Sequence, residues 1–315
     1  VYRVRRRRAL LVTTLVLAVA YTVLGAGSHL FSGRARTPGT QDRAYLSGLH
    51  RTSASAIAWP PRGQAAVVLG SGRPAVSAGE QPVPIASLAK VMTAYLTLKR
   101  YPLSGAQAGF TVTITAAEVQ AEVDDVSDGQ SGVSVQTGEQ LTERQLLEAL
   151  LIPSGNNIAE TLAVRVAGSE SRFVAEMNAD ARALGMHDTI YTDPSGFDAD
   201  TVSTAADQLR VFRQAIRLPV FRQIVSMASV TLPVAGTVTN FNPLVAEGYA
   251  GKTGSDSAAG GCLAFFTDVT VGRRLQTAVG VVLGQGQGSD TAALLAAAGV
   301  AARRLVASAT DARSN

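Results

Sequence analysis

Strand-like runs occur at both ends of this chain and helical periodicity fills the middle, an order that restricts the fold more than any other feature. Early on, Ala65-Ala66-Val67-Val68-Leu69 and Pro74-Ala75-Val76-Ser77-Ala78 flank Gly70-Ser71-Gly72, the pattern of a β-hairpin. After Pro219 strand-like runs return at Val230–Pro233, Gly236–Thr239, Leu263–Thr270 and Leu275–Leu283, with Gly272-Arg273 as a turn. Between these groups a helix is predicted from near Ser87 through Tyr95 and Leu96, then a short strand at Phe110–Thr115. Thr115 with Glu118 and Thr142 with Gln145 fit capping boxes, in which two side chains satisfy orphan amides reciprocally. Apolar residues then recur at three- and four-residue steps: Leu146, Leu147, Leu150 and Leu151 before Pro153; Ile158, Leu162 and Val166 before Gly168. Val174, Met177, Ala181 and Leu184 continue the pattern, as do Leu209, Phe212 and Ile216. An alanine-rich helix from Thr291 to about Val306 closes the chain. Strands from the two ends are therefore expected to share one antiparallel sheet, with the central helices as a second lobe.

The charge distribution narrows the class further. The formal net charge is +4, but Arg3, Arg5, Arg6, Arg7 and Arg8 account for it. Without those five, the remainder carries 23 basic against 24 acidic residues, so no phosphate-binding stripe and no nucleic-acid partner is expected. The arginines precede an apolar run from Ala9 to Gly27, the arrangement of an export signal that leaves the arginines in the cytoplasm. We read residues 1–27 as a retained N-terminal membrane helix, with cleavage near Ala18-Val19-Ala20 as the alternative, which would make the protein secreted. Residues 28–56 read as a flexible tether rich in Ser, Gly, Arg and Thr, and residues 57–315 as the folded domain. Cys262 is the only cysteine and sits in an apolar run, so it reads as a small buried hydrophobe. Histidines are three, His29, His50 and His187, too few and too scattered for a zinc site.

Of 28 basic residues only Lys90, Lys99 and Lys252 are lysines. A chain that uses Arg wherever a plain charge suffices makes a retained Lys a candidate for chemistry that requires losing a proton. Lys99 reads as an ordinary surface charge. Ser87-Leu88-Ala89-Lys90 is the one S-x-x-K, and a spacing of three on a helix puts both side chains on one face. An amine whose pKa is depressed by burial can take the serine proton. Ser154-Gly155-Asn156 is the one S-x-N, in a connection between two predicted helices. Lys252-Thr253-Gly254 is the one K-[ST]-G, on a segment leading into the last strands, where glycine lets a substrate backbone lie against an edge strand. Taken singly, each tripeptide or tetrapeptide is equally compatible with a helix cap, a polar connection or a turn.

Taken in order, they form the set found in active-site serine penicillin-recognising enzymes. Over residues 59–307 the chain resembles the low-molecular-mass D-alanyl-D-alanine carboxypeptidases, serine peptidases of family S11. Pro84 to Ala94 resembles the family's nucleophile segment and Ser154 to Ala159 its second motif, although many members have Asp where this chain has Asn157. Gly185 to Thr189 and Asp193-Pro194-Ser195-Gly196-Phe197-Asp198 resemble the family's segment between the second and third motifs.

The resemblance implies an α+β fold of the β-lactamase/penicillin-binding transpeptidase type, with an antiparallel sheet flanked by helices and a helical lobe. It also implies roles for residues. Ser87 would be the acylated nucleophile, Lys90 its general base, and Ser154 a relay to the leaving amine. Asn156 would hold the substrate amide, Lys252 and Thr253 the terminal carboxylate, and Gly254 the close approach. Backbone N–H groups of Ser87 and Ser255 would form an oxyanion hole. The implied substrate is a peptidoglycan stem peptide ending in D-Ala-D-Ala, with β-lactams as covalent inhibitors and no metal or organic cofactor. The implied location is the outer face of a bacterial cytoplasmic membrane. Many members carry a β-rich domain after the catalytic one, whereas 61 residues follow Gly254 here, so any tether is expected at the N-terminus. Three other readings fit the residues less well. A class A β-lactamase would need an E-x-x-L-N loop, which this chain lacks. A catalytically degenerate peptidoglycan-binding protein would need a missing motif. A Ser-His-Asp hydrolase would have to use His187, without a G-x-S-x-G elbow.

Overall fold

The computed structural model describes residues 57–314. The expected leader over 1–27 and tether over 28–56, with His29 and His50, lie outside the described residues.

Sheet formation follows the sequence pattern. Strands β1 (Gln64–Leu69) and β2 (Ala75–Val76) form the hairpin, and β10 (Gly260–Val271) and β11 (Arg274–Gln285) pair through the Gly272-Arg273 turn. With β9 (Ala250–Asp256) they make a five-stranded antiparallel sheet in the order β2-β1-β11-β10-β9, so the two ends of the chain meet at β1 and β11. The side chains alternate between two apolar layers. Ala66, Val68, Ala264, Phe266, Val281 and Leu283 face the helical lobe. Ala65, Val67, Leu69, Leu263, Phe265 and Val282 face the closing helix. Burial on both faces explains why β1 reads as a continuous apolar run and not as an alternation.

The helical lobe is built around α1 (Ala89–Arg100), which follows a short 3-10 turn at Ala86–Leu88. Nine of its residues are buried, including Lys90, Thr93 and Thr97, so neighbours surround it on nearly every side. Around it lie α2 (Ala116–Ser127), α3 (Glu143–Leu151), α4 (Asn156–Ala167), α5 (Glu170–Ala183) and α6 (Ala205–Ala215). Both expected capping boxes form, at Thr115 with Glu118 and at Thr142 with Gln145. The short strand expected at 110–115 is β4 (Thr111–Thr113), paired with β5 (Gln140–Thr142), and β3 (Val83–Pro84) pairs with β6 (Val202–Ser203).

Four details differ from the sequence reading. The runs at 230 and 236 form their own hairpin, β7 (Ser229–Leu232) with β8 (Gly236–Thr239), and do not join the main sheet. A further helix, α7 (Pro219–Ile224), has six residues, too few to display a period, and starts on a proline at its first turn. Strand β9 carries Lys252, Thr253, Ser255 and Asp256 where apolar alternation would have marked it. The closing helix α8 runs Thr291–Ser314, past Val306. Burial of Ala309 and donation from Arg313 Nη1 to the Leu69 carbonyl (2.8 Å) hold its last turns against β1. This helix is apolar and long enough to cross a membrane, but half of it is buried against the sheet.

Candidate active site

The segment that carries Ser87 is forced into an unusual path. Ala86 (φ 44°) and Ser154 (φ 66°) are the only non-glycine residues with positive φ among the described residues, and both line one cleft. Such conformations cost ~1–3 kcal/mol each and persist only where the surroundings fix them. Two glycines do so here. A Cβ on Gly254 of β9 would fall 2.8 Å from the Ile85 carbonyl and 3.0 Å from the Ser87 nitrogen. A Cβ on Gly196 would fall 1.9 Å from the Ala86 carbonyl. The glycine of the third motif therefore lets the serine turn approach the edge strand, where the sequence had suggested room for substrate backbone. Gly196→Ala, at φ 82°, is expected to cost ~2–4 kcal/mol, read as a lowered Tm, through strain and overpacking together.

Ser87 is half-exposed on the cleft wall, and Lys90 lies beneath it, fully buried. The Lys90 Nζ is 2.8 Å from Ser87 Oγ. It donates to Asn156 Oδ1 at 2.5 Å and to the Ser195 carbonyl at 3.1 Å. A neutral amine has two N–H groups and one lone pair. With both N–H groups taken by these acceptors, the lone pair is left for the Ser87 hydroxyl. Burial brings the Lys90 pKa down to about 7, opposed by the more distant charges of Asp193, Asp125 and Glu160. An unprotonated Lys90 is thus accessible near neutral pH.

On the other side of the cleft, Ser154 sits between α3 and α4. Its Oγ accepts from Lys252 Nζ at 2.9 Å, and the same amine donates to the Thr253 carbonyl at 2.8 Å. Lys252 is also fully buried, and desolvation, then the charge of Lys90, lowers its pKa. The charge of one buried amine thus disfavours the charge of the other. Asn156 Nδ2 donates to Gln130 Oε1 at 2.5 Å, so both ends of its carboxamide are engaged. Asn157 accepts from the Val133 nitrogen and donates to the Val133 carbonyl. A carboxylate there would lose the second bond, which gives this chain's asparagine a structural purpose: it pins the 130–133 segment along the cleft.

The loop after α5 fixes Lys90 from behind. Asp193 Oδ2 accepts from the backbone nitrogens of Ser195, Gly196 and Phe197 and from Ser195 Oγ, and Asp193 Oδ1 from Thr201 Oγ1. Thr93 Oγ1 donates to the Pro194 carbonyl at 2.7 Å, tying the loop to α1.

Every site residue singled out in the sequence gathers here. Ser87, Ser154, Asn156, Thr253, Gly254 and Ser255 line the cleft, and Lys90 and Lys252 reach it from below through the two serines. Gln130, Ser131, Phe197 and Phe241 also line it and were not singled out. The Asp193-Pro194-Ser195-Gly196 run held a usable signal, an aspartate followed by backbone amides that its side chain can cap. His187 is exposed on the turn after α5 and does not line the cleft, which removes the Ser-His-Asp arrangement. Lys99 makes an exposed ion pair with Asp180 at 2.6 Å, and Cys262 is buried, both as the sequence suggested.

The family model of the D-alanyl-D-alanine carboxypeptidases, peptidase family S11, matches residues 75–285. The chain is 37% identical over 185 residues to the D-alanyl-D-alanine carboxypeptidase DacB2 of Mycobacterium tuberculosis, a match covering 56% of this chain. That match spans 59% of the length of the mycobacterial protein. Among solved structures, the Streptomyces K15 DD-transpeptidase superposes with a TM-score of 0.67 at 25% identity, covering 81% of this chain and all (100%) of that one. An evolved penicillin-binding protein homologue from Mycobacterium tuberculosis does so at 0.64 and 32% identity, covering 79% of this chain and 96% of that one.

Proposed function

Since the chain belongs to the D-alanyl-D-alanine carboxypeptidase family, peptidase family S11, we propose that it removes the terminal D-alanine from peptidoglycan stem peptides through a Ser87 acyl-enzyme. The observation that carries this reading is the placement of Lys90 Nζ, within hydrogen-bond distance of Asn156 Oδ1, the Ser195 carbonyl and Ser87 Oγ: a neutral amine that donates to the first two has its lone pair for the third.

In the proposed reaction the terminal carboxylate docks beside Lys252 and Thr253. Its charge favours the ammonium form of Lys252, and that cation, close to Lys90, keeps Lys90 unprotonated. Substrate binding therefore arranges one proton between two buried amines. Lys90 takes the Ser87 hydroxyl proton as Oγ bonds to the penultimate carbonyl carbon. Backbone N–H groups of Ser87 and Ser255 stabilise the oxyanion, a contribution of ~2.7–4 kcal/mol per donor in comparable sites. The C–N bond then breaks, and the proton reaches the leaving amine through Ser154, whose Oγ is held by Lys252. D-Alanine leaves, and water hydrolyses the ester to restore Ser87. Asn156 orients the base first, and it would contact the substrate amide by exchanging Gln130 for it. A β-lactam presents the same carbonyl and carboxylate and is expected to acylate Ser87 persistently.

Residues 1–27 are proposed to hold this domain at the outer face of the cytoplasmic membrane, with 28–56 as the tether. The direct test uses a pentapeptide ending in D-Ala-D-Ala and mass spectrometry. Loss of one alanine is expected; an unchanged peptide under conditions where penicillin labels the protein would refute the carboxypeptidase activity.

A further inference from the structure

The end of the molecule opposite the cleft carries a projecting basic finger that the proposed reaction does not use. Strand β10 pairs with β9 only as far as Phe266, opposite Ala250, and β11 pairs with β1 only from Ala278, opposite Leu69. Residues 267–271 of β10 and 274–277 of β11 therefore have no strand beside them but each other, a hairpin reaching ~13 Å beyond β1. Its tip is Gly272-Arg273-Arg274-Leu275, exposed throughout. Period two puts Leu275 on the face of Val279 and Val281, which packs on the helical lobe, yet it is 73% exposed, beyond the reach of that lobe.

The β1–β2 turn and the end of α8 lie alongside this finger. The Gly70 nitrogen donates to the Thr277 carbonyl at 2.9 Å, and Arg313 Nη1, held on the Leu69 carbonyl, packs against Gly72. Arg73, Arg273, Arg274 and Arg313 thus gather at one end of the molecule, all exposed. Among the described residues, no acid pairs with any of them. The acids of these segments are Asp311 and Asp268, whose Oδ1 accepts from Thr277 Oγ1 at 2.7 Å. A lone exposed leucine is ordinary. A leucine on the tip of an unsupported hairpin, flanked by arginines, meets a different need: interfacial elements put apolar atoms at the acyl boundary and cations among the phosphates.

Two placements select a membrane as the partner. Ile57, from which the chain leads back to residues 1–56, lines a groove with Arg73, Pro74 and Arg313, so the proposed tether joins the domain at this same end. The cleft lies at the other end. Thr291 and Leu295, at the start of α8, line it, and Arg313 follows ~33 Å further along the helix. Strand β10 spans a like distance, ~36 Å from Gly260, opposite Asp256 of the cleft, to Val271 at the tip.

From these placements we infer that the β10–β11 tip, with Arg73 and Arg313 beside it, docks on the anionic lipid surface of the membrane, Leu275 entering the headgroup layer and the cleft facing outward ~30 Å away. This inference rests on the membrane placement proposed above and deepens it: the tether limits distance, and the docked tip fixes orientation.

The test uses the full chain with a fluorophore on Leu275→Cys or, separately, on Ser257→Cys at the cleft end; Cys262 is buried and should stay unlabelled. Each protein is mixed with vesicles carrying a headgroup nitroxide quencher, made of phosphatidylcholine alone or with about one quarter phosphatidylglycerol, and flotation is scored in parallel. With anionic vesicles, quenching at position 275 is expected to be about threefold or more that at 257, and to weaken with added salt. Neutral vesicles should remove the difference. Arg273→Gln and Arg274→Gln should each weaken docking about fivefold. Flotation with both vesicles but equal quenching at the two positions, or quenching at 275 that ignores phosphatidylglycerol, overturns the docking and leaves the anchor standing. Flotation with anionic vesicles alone, with quenching at 275, removes the anchor and upholds the docking. Flotation with neither removes both. An unquenched probe whose emission shifts instead on adding soluble poly(glycerol phosphate) assigns the patch to an anionic polymer and overturns the lipid assignment.

Discussion

Ser87→Ala is expected to abolish covalent labelling by a fluorescent penicillin and D-alanine release together, a loss on the order of 10⁴-fold or more. The expectation follows from position as well as chemistry. Ser87 Oγ lies 2.8 Å from Lys90 Nζ, whereas Ser154 Oγ is held by Lys252 on the opposite wall. Removing one half-exposed oxygen leaves the apolar layers around α1 untouched, so the melting temperature should change little. Labelling that survives in a folded Ser87→Ala protein would assign the nucleophile to another residue, with Ser154 the first to test.

Lys90→Arg should reduce acylation by at least ~10²-fold, within the range that general bases contribute. Arginine keeps its proton throughout the accessible pH range and has no lone pair to offer Ser87. The unmodified protein supplies the companion measurement. With the Lys90 pKa near 7, the acylation rate should climb about tenfold per pH unit below that value and level off above it, because the base must be unprotonated. A flat profile between pH 5 and 8, or an arginine variant acylating at the original rate, would remove Lys90 from the role of base. The same burial has a stability cost. A fall from 10.5 to about 7 corresponds to something on the order of 5 kcal/mol. Between those values the unfolded chain binds the extra proton, so stability from this group rises with pH across the window. Below about pH 7 the penalty is fully present.

The candidate site was unusually open to sequence reading in one respect. Lysine scarcity together with three ordered motifs singled out Ser87, Lys90, Ser154, Asn156, Lys252 and Thr253, and the fold brings all of them to one cleft. Helices with strong periodicity and caps, such as Glu143–Leu151, were equally legible. Strand β9 was not, since Lys252-Thr253-Gly254-Ser255-Asp256 carries polar groups where alternation would identify a strand. Gln130 escaped notice, and Phe197 entered only within a family-like segment, because neither residue type is informative away from its neighbours.

What the linear chain determined by itself is the inventory: which elements form, in what order, and which side chains have chemistry to offer. Tertiary structure alone decided the state of that chemistry. The acceptors that leave Lys90 with a lone pair for Ser87 lie 66 and 105 residues away in sequence. Removal of the amine from water, which lowers its pKa, is a collective property of the helices packed around it. Local patterns report spacing, and desolvation depends on everything that surrounds a group, so only the packed molecule could turn a lysine into a base.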